Sequence, residues 1–135
     1  MNDAERRTFG SGGPWEELYG YARVVRVGRH VHVAGTTAAL PDGGVAGGAD
    51  AAAQARAVFE RIEAALAQAG ARMADVVRTR MYVVPGVDTD AVGLAHGERF
   101  ARIRPASTLV VVHALVRADL LVEIEVDAIL PPEAL

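Results

Sequence analysis

From Val122 to Ala128, apolar and acidic residues alternate without a break. Val122, Ile124, Val126 and Ala128 fall on one side; Glu123, Glu125 and Asp127 fall on the other. A period of two sends successive side chains to opposite faces of a pleated strand. The segment therefore reads as a β-strand with one face in a core and three carboxylates on the other. Like charges in a row on one sheet face repel each other. They must meet water, a basic neighbour or a functional site. A second β-rich run, from Arg104 to Leu115, precedes this one, with a polar break at Arg117-Ala118-Asp119 between them. Two such runs around a short turn predict a pair of neighbouring strands at the end of the fold.

The rest of the chain supplies the partners for that pair. Residues 1–13 are polar and Gly-rich and predict a loose start that settles at Pro14-Trp15-Glu16. Tyr21 to Val27 and His30 to Thr36 are strand-like runs around Gly28-Arg29, a compact hairpin signal. Residues 38–48 hold Pro41-Asp42-Gly43-Gly44 and Gly47-Gly48 and read as a loop. Asp50 is placed to cap a helix running to about Ala69, with Ala55, Val58, Phe59, Ile62 and Leu66 as its apolar stripe and Gly70 just past its end. Asp75 to Val84 predicts a strand, Pro85-Gly86 a turn, and Thr89 to about Ile103 a second helix stopped by Pro105. The order is ββαβαββ. It argues one α+β domain over residues 1–135, a mixed sheet with two helices packed on one face.

Composition narrows the chemistry more than the fold. The chain has 135 residues, 51% of them hydrophobic, and a net charge of -3. A chain of this length buries roughly two thirds of its extended surface. No apolar run approaches the roughly 18 residues of a membrane span, and the N-terminus lacks the apolar core of a secretion signal. A soluble, cytoplasmic domain is the expectation. All fourteen basic residues are arginine, and cysteine is absent. Schiff-base catalysis through a protein lysine and thiolate chemistry are excluded. Serine occurs only at Ser11 and Ser107, neither in a Gly-x-Ser-x-Gly elbow. What remains is carboxylate, histidine, tyrosine or arginine chemistry, or water activated by one of them. The arginines are scattered among carboxylates and aromatics are few, so no nucleic-acid surface is read.

From about Pro14 to Ile129 the chain resembles the RidA family, also called YjgF or L-PSP-like proteins. The resemblance is carried by Gly20-Tyr21, His32-Val33-Ala34-Gly35-Thr36, Ala53-Gln54-Ala55-Arg56, Ala69-Gly70-Ala71, Asp75-Val76-Val77-Arg78-Thr79, Arg104-Pro105-Ala106 and Val122-Glu123-Ile124-Glu125, in that order. The Pro14-Trp15-Glu16 start looks like a branch of the family with a Ser-Pro-Trp-Glu type motif. The resemblance implies a chorismate-mutase-like fold, a homotrimer with clefts between subunits, and hydrolysis of reactive enamines and imines to a 2-keto acid and ammonia. It implies no metal and no organic cofactor.

Residue by residue, the resemblance places the family's water-assisting glutamate at Glu123, its N-terminal tyrosine at Tyr21 and its cleft glycine at Gly35. The carboxylate-binding arginine of the family's Pro-Ala-Arg stretch falls on Ser107, and a frequent cleft asparagine falls on Leu94. A hydroxyl cannot replace the planar fork of a guanidinium. Arg104 and Arg80 are the candidates to supply the missing charge; Trp15, Tyr21 and Thr108 are candidate cleft residues. His30 and His32 share a strand face, but no third metal ligand lies near them in sequence. His96, on the second helix, and His113, on the penultimate strand, read as structural or solvated rather than catalytic. The expected function is carboxylate-assisted hydrolysis of an imine, an enamine or a related small metabolite. The alternative is a non-catalytic small-molecule-binding homologue; endoribonuclease action is a third reading, disfavoured by the weak basic character.

Overall fold

The structure, a computed structural model, describes residues 5–133. One six-stranded sheet organises it. The strands are β1 (Arg6–Phe9), β2 (Val24–Val27), β3 (His30–Thr36), β4 (Val76–Val83), β5 (Ala106–Val111) and β6 (Val122–Ile129). They lie in the order β1-β2-β3-β6-β4-β5. Every neighbouring pair is antiparallel except β4 and β5, which run parallel. The helices are α1 (Pro14–Tyr19), α2 (Ala51–Gln68) and α3 (Thr89–Phe100), with a short 3₁₀ turn at Met73–Asp75.

The expected ββαβαββ order is therefore present from β2 to β6, and the fold is α+β with a mixed sheet. Gly28 sits in the left-handed region, as a tight hairpin between β2 and β3 requires. The Asp50 carboxylate accepts from the amides of Ala52 and Ala53 and starts α2. Gly70, also left-handed, lets Ala71 donate back to the Leu66 carbonyl and closes it. The α2 stripe Ala55, Val58, Phe59, Ile62 and Leu66 is fully buried against Val31 and Val33 of β3 and Val122, Ile124 and Val126 of β6. Phe59 meets Phe100 of α3 edge to face at 5.6 Å. Both long helices cover the same face, and the opposite face of the sheet carries none of this core.

One buried polar side chain ties the layers together. Gln54 on α2 has no exposed surface, yet its amide nitrogen donates to the carbonyls of Gly48 and Asp119 and its oxygen accepts from the Leu121 amide. Neither polar atom of the buried amide is left without a partner. The run into β6 is thereby fixed to the start of α2.

Four expectations are corrected. The last two strands are not neighbours: β4 lies between them, and β5 pairs with β4 in parallel. Consecutive strands are adjacent only about two thirds of the time. Here β6, whose core face is buried from Val122 to Ala128, takes a central place, while the mostly exposed β5 forms an edge. His113 lies beyond the end of β5 rather than on a strand. The expected loose start falls partly outside the described residues, at 1–4; within it Arg6–Phe9 form a strand paired with Val24–Val27. Backbone pairing and the partly buried Phe9 at its end hold this mostly exposed strand, and no apolar alternation announces it. Pro14 then occupies the first turn of α1, where its missing N–H costs nothing, making a third helix. Among the described residues, no helix is long and apolar enough to cross a membrane.

Candidate functional site

The open face of β6 presents the three carboxylates, and they meet different fates. Arg80 on β4 donates to Glu125 at 3.3 Å and to Asp127 at 3.1 Å. The Tyr82 hydroxyl adds a long 3.4 Å bond to Glu125, and His32 Nδ1 lies 2.7 Å from Asp127. Glu125 and Asp127 are thus neutralised by basic and donor groups on the strands either side. Glu123, opposite Tyr82 in register, receives no hydrogen bond among the described residues.

Glu123 instead lies against the backbone of Gly35. The β3–β6 register shifts between Val33 and Thr36, and Gly35 falls inside that irregularity. A Cβ at Gly35 would stand 2.2 Å from Glu123 Oε2, so only glycine admits the carboxylate in this position. The side chain is half-buried. Desolvation pushes its pKa up, the Arg23 guanidinium opposes that shift, and the charge of Glu125 adds to it. A carboxyl raised toward neutrality, without a fixed partner, is suited to taking and returning a proton.

Arg23, just before β2, frames the same spot. Its Nη1 donates to the Gly35 carbonyl at 2.6 Å, to Thr36 Oγ1 at 3.1 Å and to the Ala34 carbonyl at 3.2 Å. Its Nε lies 3.7 Å from Glu16 of α1, and its guanidinium carbon sits 5.9 Å from the centre of the Tyr21 ring. Burial works against the Glu16 carboxylate, but hydrogen bonds from Ser11 and the charge of Arg23 outweigh it and its pKa is lowered. Arg61 of α2 reaches the next turn of chain, donating to the carbonyls of Thr37 and Ala39. Burial and the nearby Arg23 charge lower the Arg61 pKa. Neither arginine stands out in the sequence: Arg23 acquires its place only when β3 folds back beside it, and no periodicity signals that.

The remaining expected residues divide. Tyr21 joins the Arg23–Gly35–Glu123 cluster, whereas Trp15 stacks on Tyr19 at 5.5 Å along α1. Ser107 is on the other side of the sheet. Its hydroxyl accepts from Thr79 at 2.7 Å, and Thr79 contacts His96 Nε2 at 2.9 Å, in a chain that runs into the helix layer. Burial lowers the His96 pKa. Thr108 stands opposite Arg80 on the open face. Arg104 adopts a left-handed backbone before β5, beyond Ala106, which pairs with Arg78, which in turn pairs with Asp127. Asp127 is four residues from Glu123, about 13 Å along a strand. Arg104 is therefore at the wrong end of the sheet to serve Glu123 of its own chain, and Arg80 is held by Glu125 and Asp127. Leu94 is exposed on α3. A surface depression of about 400 Å³ lies elsewhere, between Asp50, Val84, Pro85, Asp88 and Leu121, and includes neither Glu123 nor Gly35.

This arrangement can be set beside known proteins. The model of the endoribonuclease L-PSP family matches residues 15–130. The crystal structure of Rv2704 from Mycobacterium tuberculosis, described as a member of the YjgF/YER057c/UK114 family, superposes with a TM-score of 0.83 at 48% identity, covering 93% of this chain and 100% of that one. An uncharacterized protein of Streptomyces coelicolor is 42% identical over 128 residues, 95% of each chain. Escherichia coli TdcF, solved with bound serine, has a TM-score of 0.73 at 25% identity, covering 91% of this chain and 93% of that one. A match over nearly the whole length, together with the same fold at almost half identity, establishes that the chain belongs to the YjgF/UK114 family, the Rid or L-PSP group.

Proposed function

We propose that this protein hydrolyses a small imine or enamine, with Glu123 as the group that activates water. The observation that carries the reading is the half-buried Glu123 carboxyl, lodged against Gly35, raised in pKa and without a hydrogen-bond donor among the described residues, beside two carboxylates that are both paired. As the water oxygen adds to the carbon of a C=N bond, Glu123 accepts the proton that water releases. The product is a carbinolamine. Glu123 passes that proton to the nitrogen to complete the carbinolamine, then carries the hydroxyl proton to the same nitrogen as the C–N bond breaks, so ammonia departs and a carbonyl remains. One water is consumed per ammonia released, and the carboxylate is regenerated.

The reading places the reaction between copies of the chain, in a homotrimer. Glu123 and Gly35 lie on the open face, while Ser107 faces the helix layer at the far edge, two strands away. One chain cannot bring these together, so the reading requires the edge of a second chain beside the open face. Exposed Val77, Val110, Val111 and Ile129 along that face and edge supply apolar surface for such contact. Serine bound to TdcF fits a ligand of amino-acid size.

The test is the decay of enzymatically generated 2-iminopropionate. The protein is expected to accelerate it, and Glu123→Gln to remove the acceleration. A rate equal to buffer rejects the hydrolase. One observation favours a second reading, a small-molecule-binding homologue without turnover: the hydroxyl of Ser107 stands where the family's arginine belongs and is already held by Thr79. That reading predicts a ligand that shifts thermal stability and is released unchanged.

A further inference from the structure

We propose a second activity for this chain: Ser107 is a nucleophile that takes an acyl group from a small activated ester, with Thr79 relaying its proton to His96. The three side chains lie on the helix side of the sheet, away from Glu123, and the activity stands independently of the chemistry read there.

Side chains from three elements form a continuous path. Ser107 is on β5, Thr79 is its register partner on β4, and His96 is on α3. The Thr79 hydroxyl lies 2.7 Å from Ser107 Oγ and 2.9 Å from His96 Nε2. Hydroxyl protons rotate to suit their partners. With the imidazole proton on Nδ1, Ser107 donates to Thr79 and Thr79 donates to Nε2. Phe59, edge to face at 5.8 Å, and Phe100, at 4.7 Å, hold the ring in that attitude. Burial, which lowers the His96 pKa, widens the pH range over which Nε2 can accept a proton.

The needs of a core account for only half of this path. Thr79 has no exposed surface, and a buried hydroxyl requires a partner, which His96 supplies. Ser107 is exposed and can be satisfied by water, so its bond to Thr79 meets no such requirement. That bond connects a hydroxyl in contact with solvent to a base in the helix layer, the pairing that activates a weak nucleophile.

The edge position adds a donor for the reaction. β5 has a neighbouring strand on one side only. The Val112 amide donates to the Val83 carbonyl. By alternation along the strand, the amides of Val110 and Thr108 also turn toward β4, and those of Leu109 and Ser107 turn outward. A carbonyl attacked by Ser107 Oγ thus meets the outward Ser107 N–H, placed for the oxyanion as it develops. In the step, Ser107 Oγ bonds to the ester carbonyl carbon. Its proton passes to Thr79 Oγ1 while the Thr79 proton passes to His96 Nε2. The bond from the carbonyl carbon to the leaving oxygen breaks, and its electron pair departs with that oxygen. The imidazolium then gives its proton to water. Nothing in the path protonates a leaving oxygen, so the donors are esters whose leaving group is stable as an anion, such as a phenolate.

The test is p-nitrophenyl acetate with the intact protein. Wild type is expected to release a burst of nitrophenolate stoichiometric with the chain and to gain an acetyl group on the peptide that contains Ser107. The chain has no lysine and no cysteine, so the usual competing acceptors are absent. Ser107→Ala is expected to abolish the burst, and Ser11→Ala, at the only other serine, to keep it. His96→Gln is expected to slow acylation by about 100- to 10,000-fold, the usual contribution of a positioned base. Thr79→Val keeps the shape but removes the relay and is expected to slow it as much; Thr79→Ser, which keeps a hydroxyl, is expected to retain the rate. Thermal midpoints report that each variant is folded. Should Thr79→Val fail to fold, His96→Gln and Thr79→Ser still decide between relay and packing. A rate that follows the hydroxyl at position 79 is a result that packing alone does not produce. A wild-type chain that gains no acetyl at Ser107, or an acylation rate indifferent to either His96 or Thr79, overturns the proposal.

Discussion

Two halves of a single strand face hold their carboxylates in different ways. Glu125 and Asp127, toward the end of β6, are satisfied by Arg80, Tyr82 and His32. Glu123, at its beginning, has the same alternation and the same sheet, yet among the described residues it has no donor, and it rests on a glycine. Paired carboxylates are held in place and cannot accept a proton without breaking a bond. The unpaired one costs the fold something and is free to react. A local rule that neighbours obey and one residue breaks is where function is expected.

The largest effect that tests this contrast is chemical. Glu123→Gln is expected to lower turnover of an imine substrate by about 100- to 10,000-fold, the usual contribution of a positioned acid–base group. Glu125→Gln, one pleat further along, should change it by no more than a few-fold. Steady-state rates on the two variants suffice; equal losses would erase the distinction. Next in size is Gly35→Ala. The new methyl would overlap Glu123 Oε2, the end of a flexible side chain, so the carboxyl swings away while the backbone holds. A displacement of about 1 Å at a reacting group costs on the order of 100-fold. Turnover should fall by that order with little change in thermal midpoint.

How much of this could be read before folding depends on the range of the interactions. The two faces of β6 follow from a period of two and were plain in the sequence, as were both ends of α2, marked by Asp50 and Gly70. Each depends on neighbours within a few residues. The place of β5 beyond β4 was not legible. It is decided by a crossover through α3 and by competition for the centre of the sheet, and Ala106–Val111 carries no pattern that says which edge it takes. At the site, Glu123, Tyr21 and Gly35 were reached by resemblance, and the structure brings them together. Arg104 and Arg80 were plausible from sequence because they are basic and near the strands. Register puts the first at the wrong end, and ion pairing occupies the second. Arg23 escaped notice because its position is set by carbonyls more than ten residues downstream.

A smaller and more graded effect is the response to pH. With its pKa raised, Glu123 is protonated at a pH where an ordinary carboxyl is already ionised. The rate should decline on acidification through that raised pKa. Arg23 works to lower the pKa, so Arg23→Gln should move the acidic limb to higher pH. Stability carries the opposite sign. A carboxyl whose folded pKa exceeds its unfolded value favours the native state when protonated, and that contribution is lost as pH rises through the folded pKa. Glu123→Gln should therefore raise the thermal midpoint at pH 7 and matter much less at pH 4. A midpoint that drops at pH 7 would show the carboxylate to be structural, like its two neighbours.

The smallest expected change in an isolated chain comes from the paired half, and its size reports on what covers it. Arg80, Glu125 and Asp127 keep 41%, 34% and 28% of their side-chain surface in a single copy. Ion pairs this exposed contribute about 0–1 kcal/mol and weaken with salt. On that basis Arg80→Met should lower the thermal midpoint by no more than about 4 °C, less in 1 M salt. If a second copy lies over the open face, the same substitution strands two carboxylates away from water. Breaking a buried pair costs about 3–5 kcal/mol, and salt does little to screen it. A large, salt-insensitive loss, accompanied by a shift in sedimentation toward single chains, would place Glu125 and Asp127 inside an interface between copies. Glu123, on the same strand face, would then stand at the margin of that interface, where a cleft can form.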